Sequence, residues 1–134
     1  MRTFVDTSAI VVLLDRDDAR HARAGEVWSS GLRGGRSFCS TNYVVIEAAA
    51  ALQRRFGHDG VRTLFADILP AVDVEWVAPD DHDRGLDLFL THRRRRLSWV
   101  DCVSFVVMRR LGLETCFACD RHFAEQGFEV LPAL

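Results

Sequence analysis

The sequence predicts an α/β protein whose parallel sheet is covered on both faces by helices. Two observations carry this. Short apolar strand signals alternate along the chain with longer stretches of helical periodicity, the pattern of βαβ crossovers. The 134 residues, about half of them apolar and 27% charged, suit one soluble domain with a sizeable core.

Residues 3–6 form the first strand signal, and residues 8–14 follow at once as a helix. A second helix spans residues 21–30, with Ala24, Val27, Trp28 and Leu32 on one face. Residues 37–40 read as the second strand. Residues 42–56 form the next helix, closed by Gly57, where a left-handed cap is expected. Val61, Leu64, Phe65 and Ile68 then keep helical spacing up to Pro70, and residues 72–76 make the third strand. Residues 80–92 are helical, with Leu86, Phe89 and Leu90 turned inward. The helix at 99–111 is apolar nearly all round, which predicts burial. Residues 115–118 and 128–131 supply the last two strands. No repeat or linker divides the chain, so residues 1–134 are expected to form a single domain.

Composition excludes several classes. The longest apolar runs are far too short to span a bilayer. No basic segment leads into an apolar one at the start, so the expectation is a cytoplasmic protein. A formal net charge of −2 argues against a generic nucleic-acid coat, but not against a nuclease whose carboxylates hold metal. Of the four cysteines, Cys116 and Cys119 have CxxC spacing without a second pair. On a strand, residues three apart face opposite ways, so all four are read as free, buried thiols. Trp28, Trp76 and Trp99 are read as core or interface residues rather than base-stacking platforms.

In an open parallel sheet, ligands bind beyond the carboxyl ends of the strands, where strand order reverses. Asp6 and Asp120 both follow strand signals. Glu47 is the only charged residue from 43 to 52, and Asp101 the only one between Arg96 and Arg109. Each has a plain alternative reading. Asp6 and Asp120 suit N-caps or turns, Glu47 suits a narrow polar stripe, and Ser98 with Asp101 has the spacing of a capping box. Together, four carboxylates near one switch point would repel unless a hard cation joined them. An all-oxygen set favours Mg²⁺ or Mn²⁺, whose activated water could attack a phosphodiester.

The segments Phe4-Val5-Asp6-Thr7-Ser8, Leu97-Ser98-Trp99-Val100-Asp101-Cys102 and Phe117-Ala118-Cys119-Asp120-Arg121-His122-Phe123, with Glu47 between them, resemble the PIN-domain nucleases, and among them the VapC-type toxins of toxin–antitoxin pairs. The resemblance covers essentially the whole chain. It implies a three-layer α/β/α fold with a five-stranded parallel sheet of order 3-2-1-4-5. It also implies a Mg²⁺-dependent endoribonuclease, with Mn²⁺ as a substitute, acting on an RNA substrate. A homodimer and a small cognate antitoxin covering the site are implied as well. Carried over by position, the catalytic and metal-binding set is Asp6, Glu47, Asp101 and Asp120. Thr7 and Ser8 support it, by binding a metal water or phosphate or by capping the helix. Val100 departs from the pattern, since many relatives carry Thr there.

Arg93, Arg94, Arg95 and Arg96 form the densest charge run and directly precede the Asp101 motif. They are either a solvated helix end or an RNA-binding patch that contacts phosphates. Two rival functions stand beside the nuclease. One is a catalytically silent PIN-like module that binds RNA or protein, against which all four acids are present. The other is a phosphotransferase with Asp6 as nucleophile, against which no second Asp lies close to Asp6-Thr7-Ser8.

Overall fold

Five strands pair in the order β3-β2-β1-β4-β5, all parallel, in the computed structural model, which describes residues 2–133. The strands are β1 (Arg2–Val5), β2 (Ser37–Thr41), β3 (Val72–Glu75), β4 (Thr115–Phe117) and β5 (Glu129–Leu131). Between them run α1 (Thr7–Leu14), α2 (His21–Arg33), α3 (Asn42–Thr63), α4 (Pro79–His92), α5 (Trp99–Arg110) and the short α6 (His122–Glu125). The predicted α/β/α layering and strand order are both present. Strand order reverses between β1 and β4, which pair directly, so the crevice beyond their carboxyl ends is the expected ligand position.

The central strands are short and buried on both faces, as parallel strands under helices must be. Phe4, Phe38, Phe117 and, from the helices, Phe105 and Phe123 are fully buried. Trp28 of α2 stacks on Phe38 with ring centroids 4.6 Å apart. The apolar α5 is enclosed from Asp101 through Phe105 and again at Val107 and Met108, as its composition predicts. Against it lies α4, and Gly85 is the point of closest approach: a Cβ there would meet Val103 Cγ2 at 2.5 Å and the Val103 backbone nitrogen at 2.9 Å.

Gly57 has φ +69° and ψ −161°, so the helix begun at Asn42 breaks there, as expected, before helical geometry resumes. A π-turn, Leu64–Ile68, and a 3₁₀ turn, Leu69–Ala71, then lead through Pro70 into β3. Three apolar residues expected to face inward are exposed instead. Phe65 is turned out by the π-turn, whose wider spacing breaks the i, i+4 alignment. The buried line of α4 runs through Asp81, Gly85 and Leu88, so Leu90 falls off it. Leu32 likewise lies one residue past Gly31, where α2 meets the core. The four cysteines are free and buried. Trp76, at 74% exposure, is not a core residue. No helix among the described residues is long and apolar enough to cross a membrane.

Candidate active site

Asp6 follows β1 directly and is the N-cap of α1, with extended backbone angles. Its N–H donates to the Phe117 carbonyl at 2.9 Å, which fastens it to the end of β4. Oδ2 accepts from the Ser8 N–H at 3.1 Å and from the Ser8 hydroxyl at 2.6 Å. The other oxygen, Oδ1, is buried and has no hydrogen-bond partner among the described residues. A desolvated carboxylate oxygen left unpaired is costly unless protonated or bound to a cation. Capping therefore accounts for one oxygen of Asp6 and leaves the other to a ligand.

Asp101 occupies the first turn of α5. The capping box expected from sequence is complete: the Ser98 hydroxyl accepts from the Asp101 N–H, and Asp101 Oδ2 accepts from the Ser98 N–H, each at 3.0 Å. Asp120 lies in the turn between β4 and α6, where Oδ1 accepts from the His122 N–H at 2.9 Å. One carboxylate oxygen from each of Asp6, Asp101 and Asp120 lies within 4.8 Å of the others. Each local hydrogen bond thus fixes a carboxylate that is also a member of the cluster, so capping alone does not account for their gathering.

Glu47 stands outside this triplet, on α3. It is close enough for the charges of Asp101 and Asp120 to raise its pKa, after burial, which is the larger cause. The Thr7 hydroxyl works against that rise, although Thr7 Oγ1 meets no strict hydrogen-bond geometry with any described atom. Asp6 is raised well above the ordinary carboxylate range, by burial first and then by Asp120 and Asp101. Asp101 is raised by burial and by Asp120, against the hydrogen bonds from Ser98. Raised carboxyls at Asp6, Asp101 and Glu47 are the electrostatic signature of acids gathered without a counter-charge. Oxygen-only donors at this spacing fit a hard divalent cation, and the buried, unpaired Asp6 Oδ1 fits one of its ligand positions.

Ser8 does more than anchor the Asp6 cap. Its hydroxyl also accepts the Cys119 N–H at 2.9 Å, while Arg20 Nη1 donates to the Cys119 carbonyl at 2.6 Å. The two peptide groups that flank Cys119, next to Asp120, are thus each held by a side chain. Asp18 holds Arg20 in turn at 2.8 Å. Nothing in the sequence points to Arg20, because its contact spans 99 positions and involves a backbone atom. Val100, the position that departs from the expected family pattern, packs against the core. Arg93 ends α4 in the left-handed region at φ +51°, whereas Arg94, Arg95 and Arg96 line a cavity together with Asp120.

The fold and its acidic switch point define a PIN-domain protein. The family model for the PIN domain matches residues 3–129, and the chain belongs to that family. It is 35% identical over 131 residues to the Mycobacterium tuberculosis protein named 23S rRNA-specific endonuclease VapC20, covering 96% of this chain and 98% of the relative. The crystal structure of VapC20, described as a Sarcin-Ricin loop cleaving toxin, superposes with a TM-score of 0.83 at 34% identity, over 94% of this chain and 95% of that one. FitAcB from Neisseria gonorrhoeae shares the fold at a TM-score of 0.69 and 15% identity, over 97% of this chain and 96% of the other.

Proposed function

We propose that the protein is a Mg²⁺- or Mn²⁺-dependent endoribonuclease and the toxin of a type II toxin–antitoxin pair, with the whole chain acting as one nuclease domain. The observation that carries this is the triplet Asp6, Asp101 and Asp120, one oxygen from each lying within 4.8 Å of the others, together with the buried and unpaired Asp6 Oδ1.

Asp6, Asp101 and Asp120 would hold the cation, and Glu47 completes the acidic set from α3. When bound, the cation lowers the pKa of a water and offsets charge developing on the phosphate. Ser8, Ser98 and the His122 N–H hold the three carboxylates in fixed orientations, so little reorganisation accompanies cation capture. Glu47, whose carboxyl is raised by burial and by the charges of Asp101 and Asp120, stands beside the triplet as the candidate to accept a proton from the attacking water. The arginine run beside Asp120 supplies positive charge for the RNA backbone.

The similarity to VapC20 makes 23S ribosomal RNA the first substrate to try. The toxin–antitoxin resemblance supports a cytoplasmic homodimer inhibited by a small antitoxin whose tail covers the acidic cluster. Purified protein is expected to cut ribosomal RNA with Mg²⁺ or Mn²⁺, to stop in EDTA, and to lose activity in Asp6→Asn and Asp101→Asn. Cutting that persists in both variants would refute the assignment. Gel filtration with the product of a neighbouring gene tests the assembly, and a monomer that ignores that product would refute both partners.

A further inference from the structure

Three arginines from two separate turns line one cavity and have no ion-pair partner among the described residues. The turn after α4 and the turn after β4 enclose about 510 Å³, lined by Arg94, Arg95 and Arg96 on one side and Asp120, Arg121 and Glu125 on the other. That volume lies within the roughly 300–1,000 Å³ range of ligand-sized pockets. Arg94 is ion-paired with Glu125 across it. Arg95, Arg96 and Arg121 make no ion pair or side-chain hydrogen bond among the described residues. Unpaired arginines such as Arg16, Arg54 and Arg62 also occur elsewhere among the described residues, and what sets these three apart is that they line one cavity beside Asp120.

Asp120 belongs to both places, being a wall of this cavity and a member of the acidic triplet. An anion in the cavity would therefore sit next to whatever the triplet binds. The guanidinium fork matches a phosphate with two parallel hydrogen bonds. RNA that offers one phosphate to the triplet carries further phosphates one nucleotide away on either side. The two carboxylates of the cavity do not oppose this. Glu125 is paired with Arg94, and the three remaining guanidinium groups outnumber the one remaining carboxylate, Asp120, with or without a cation.

We propose that this cavity is a subsite for an RNA phosphate adjacent to the one that is cut, held by Arg95, Arg96 and Arg121. The inference rests on the ribonuclease reading and sharpens it. It leaves out Arg93, which caps a helix, and brings in Arg121, which lies outside the arginine run.

The test is fluorescence anisotropy of a fluorescein-labelled RNA stem-loop with the full-length protein in EDTA, where metal-dependent cutting is absent, across about 50–200 mM KCl. Arg95→Gln, Arg96→Gln and Arg121→Gln should each weaken binding and flatten the plot of log Kd against log salt by about 0.7–0.9. Arg33→Gln, on α2 and paired with Glu26, should keep the parental slope. Parental slopes in all three cavity variants would overturn the subsite alone. A parent protein that cuts no RNA with Mg²⁺ or Mn²⁺ would overturn the ribonuclease reading, whatever the slopes.

Discussion

The Ser8 hydroxyl donates to Asp6 Oδ2 at 2.6 Å while accepting the Cys119 N–H at 2.9 Å, so one side chain ties the acid after β1 to the turn that carries Asp120. Two of the three clustered carboxylates thus depend on a residue with no place in the cluster itself. Ser8→Ala should reduce metal affinity or cleavage by about 10–100-fold, the usual effect of losing an orienting partner. It should cost only about 1 kcal/mol of stability. Titration with Mn²⁺ beside urea unfolding separates the two effects. Unchanged metal affinity and cleavage would show that Ser8 does not orient the cluster.

Ser98 performs the matching task for Asp101, through both arms of the capping box. Ser98→Ala should destabilise the protein by about 1 kcal/mol and lower cleavage, because Asp101 loses the contact that aims it. Ser98→Thr keeps the hydroxyl and should restore both. Rescue of stability without rescue of cleavage would detach the box from the site.

The raised acids predict an unusual response to pH. A carboxyl whose pKa rises on folding binds its proton more tightly when folded, so its contribution is most favourable below the ordinary value of about 3.9 and declines as pH climbs toward the raised one. In EDTA, Asp6→Asn should therefore raise the Tm at pH 7, since the amide carries no charge to bury. In Mg²⁺ or Mn²⁺ the parent should gain Tm and the variant should not. Thermal melts with and without metal read both signs, and a lower Tm for the variant in EDTA would contradict the burial argument.

Gly85 lets α4 lie directly on α5, the helix that carries Asp101. Gly85→Ala would force its Cβ into the Val103 backbone, with a cost of about 1–3 kcal/mol typical of overpacking. Urea denaturation measures this. A neutral outcome would mean that the two helices separate easily, and Asp101 should then shift and cleavage fall.

What the sequence reveals of this molecule depends on the range of the contacts involved. Strand and helix order, the break at Gly57 and the Ser98–Asp101 box depend on neighbours along the chain, and each is present. The gathering of Asp6, Asp101 and Asp120 is also present, and it is legible because carboxylates in apolar settings at strand and helix ends must find a counter-charge or a proton. Glu47 is grouped with them by the same logic, but its helix keeps it outside the 4.8 Å triplet. The one-turn helix α6 leaves no mark in the sequence, since four residues are too few to show periodicity. Hydrophobicity alone assigns Leu90 and Phe65 inward, and only tertiary packing and a π-turn reveal that they face out. Arg20 and Arg121 give no signal, because one grips a distant carbonyl and the other lines a cavity built by two turns.

If the acidic triplet holds the cation that cuts RNA, metal binding and cleavage must stand or fall together. The most direct test follows bound Mn²⁺ by electron paramagnetic resonance and ribosomal RNA cleavage in the same samples, for the parent and Asp6→Asn. The parent should bind Mn²⁺ and cut, while the folded variant should lose both together. A folded Asp6→Asn protein that binds Mn²⁺ and cuts like the parent would contradict the account.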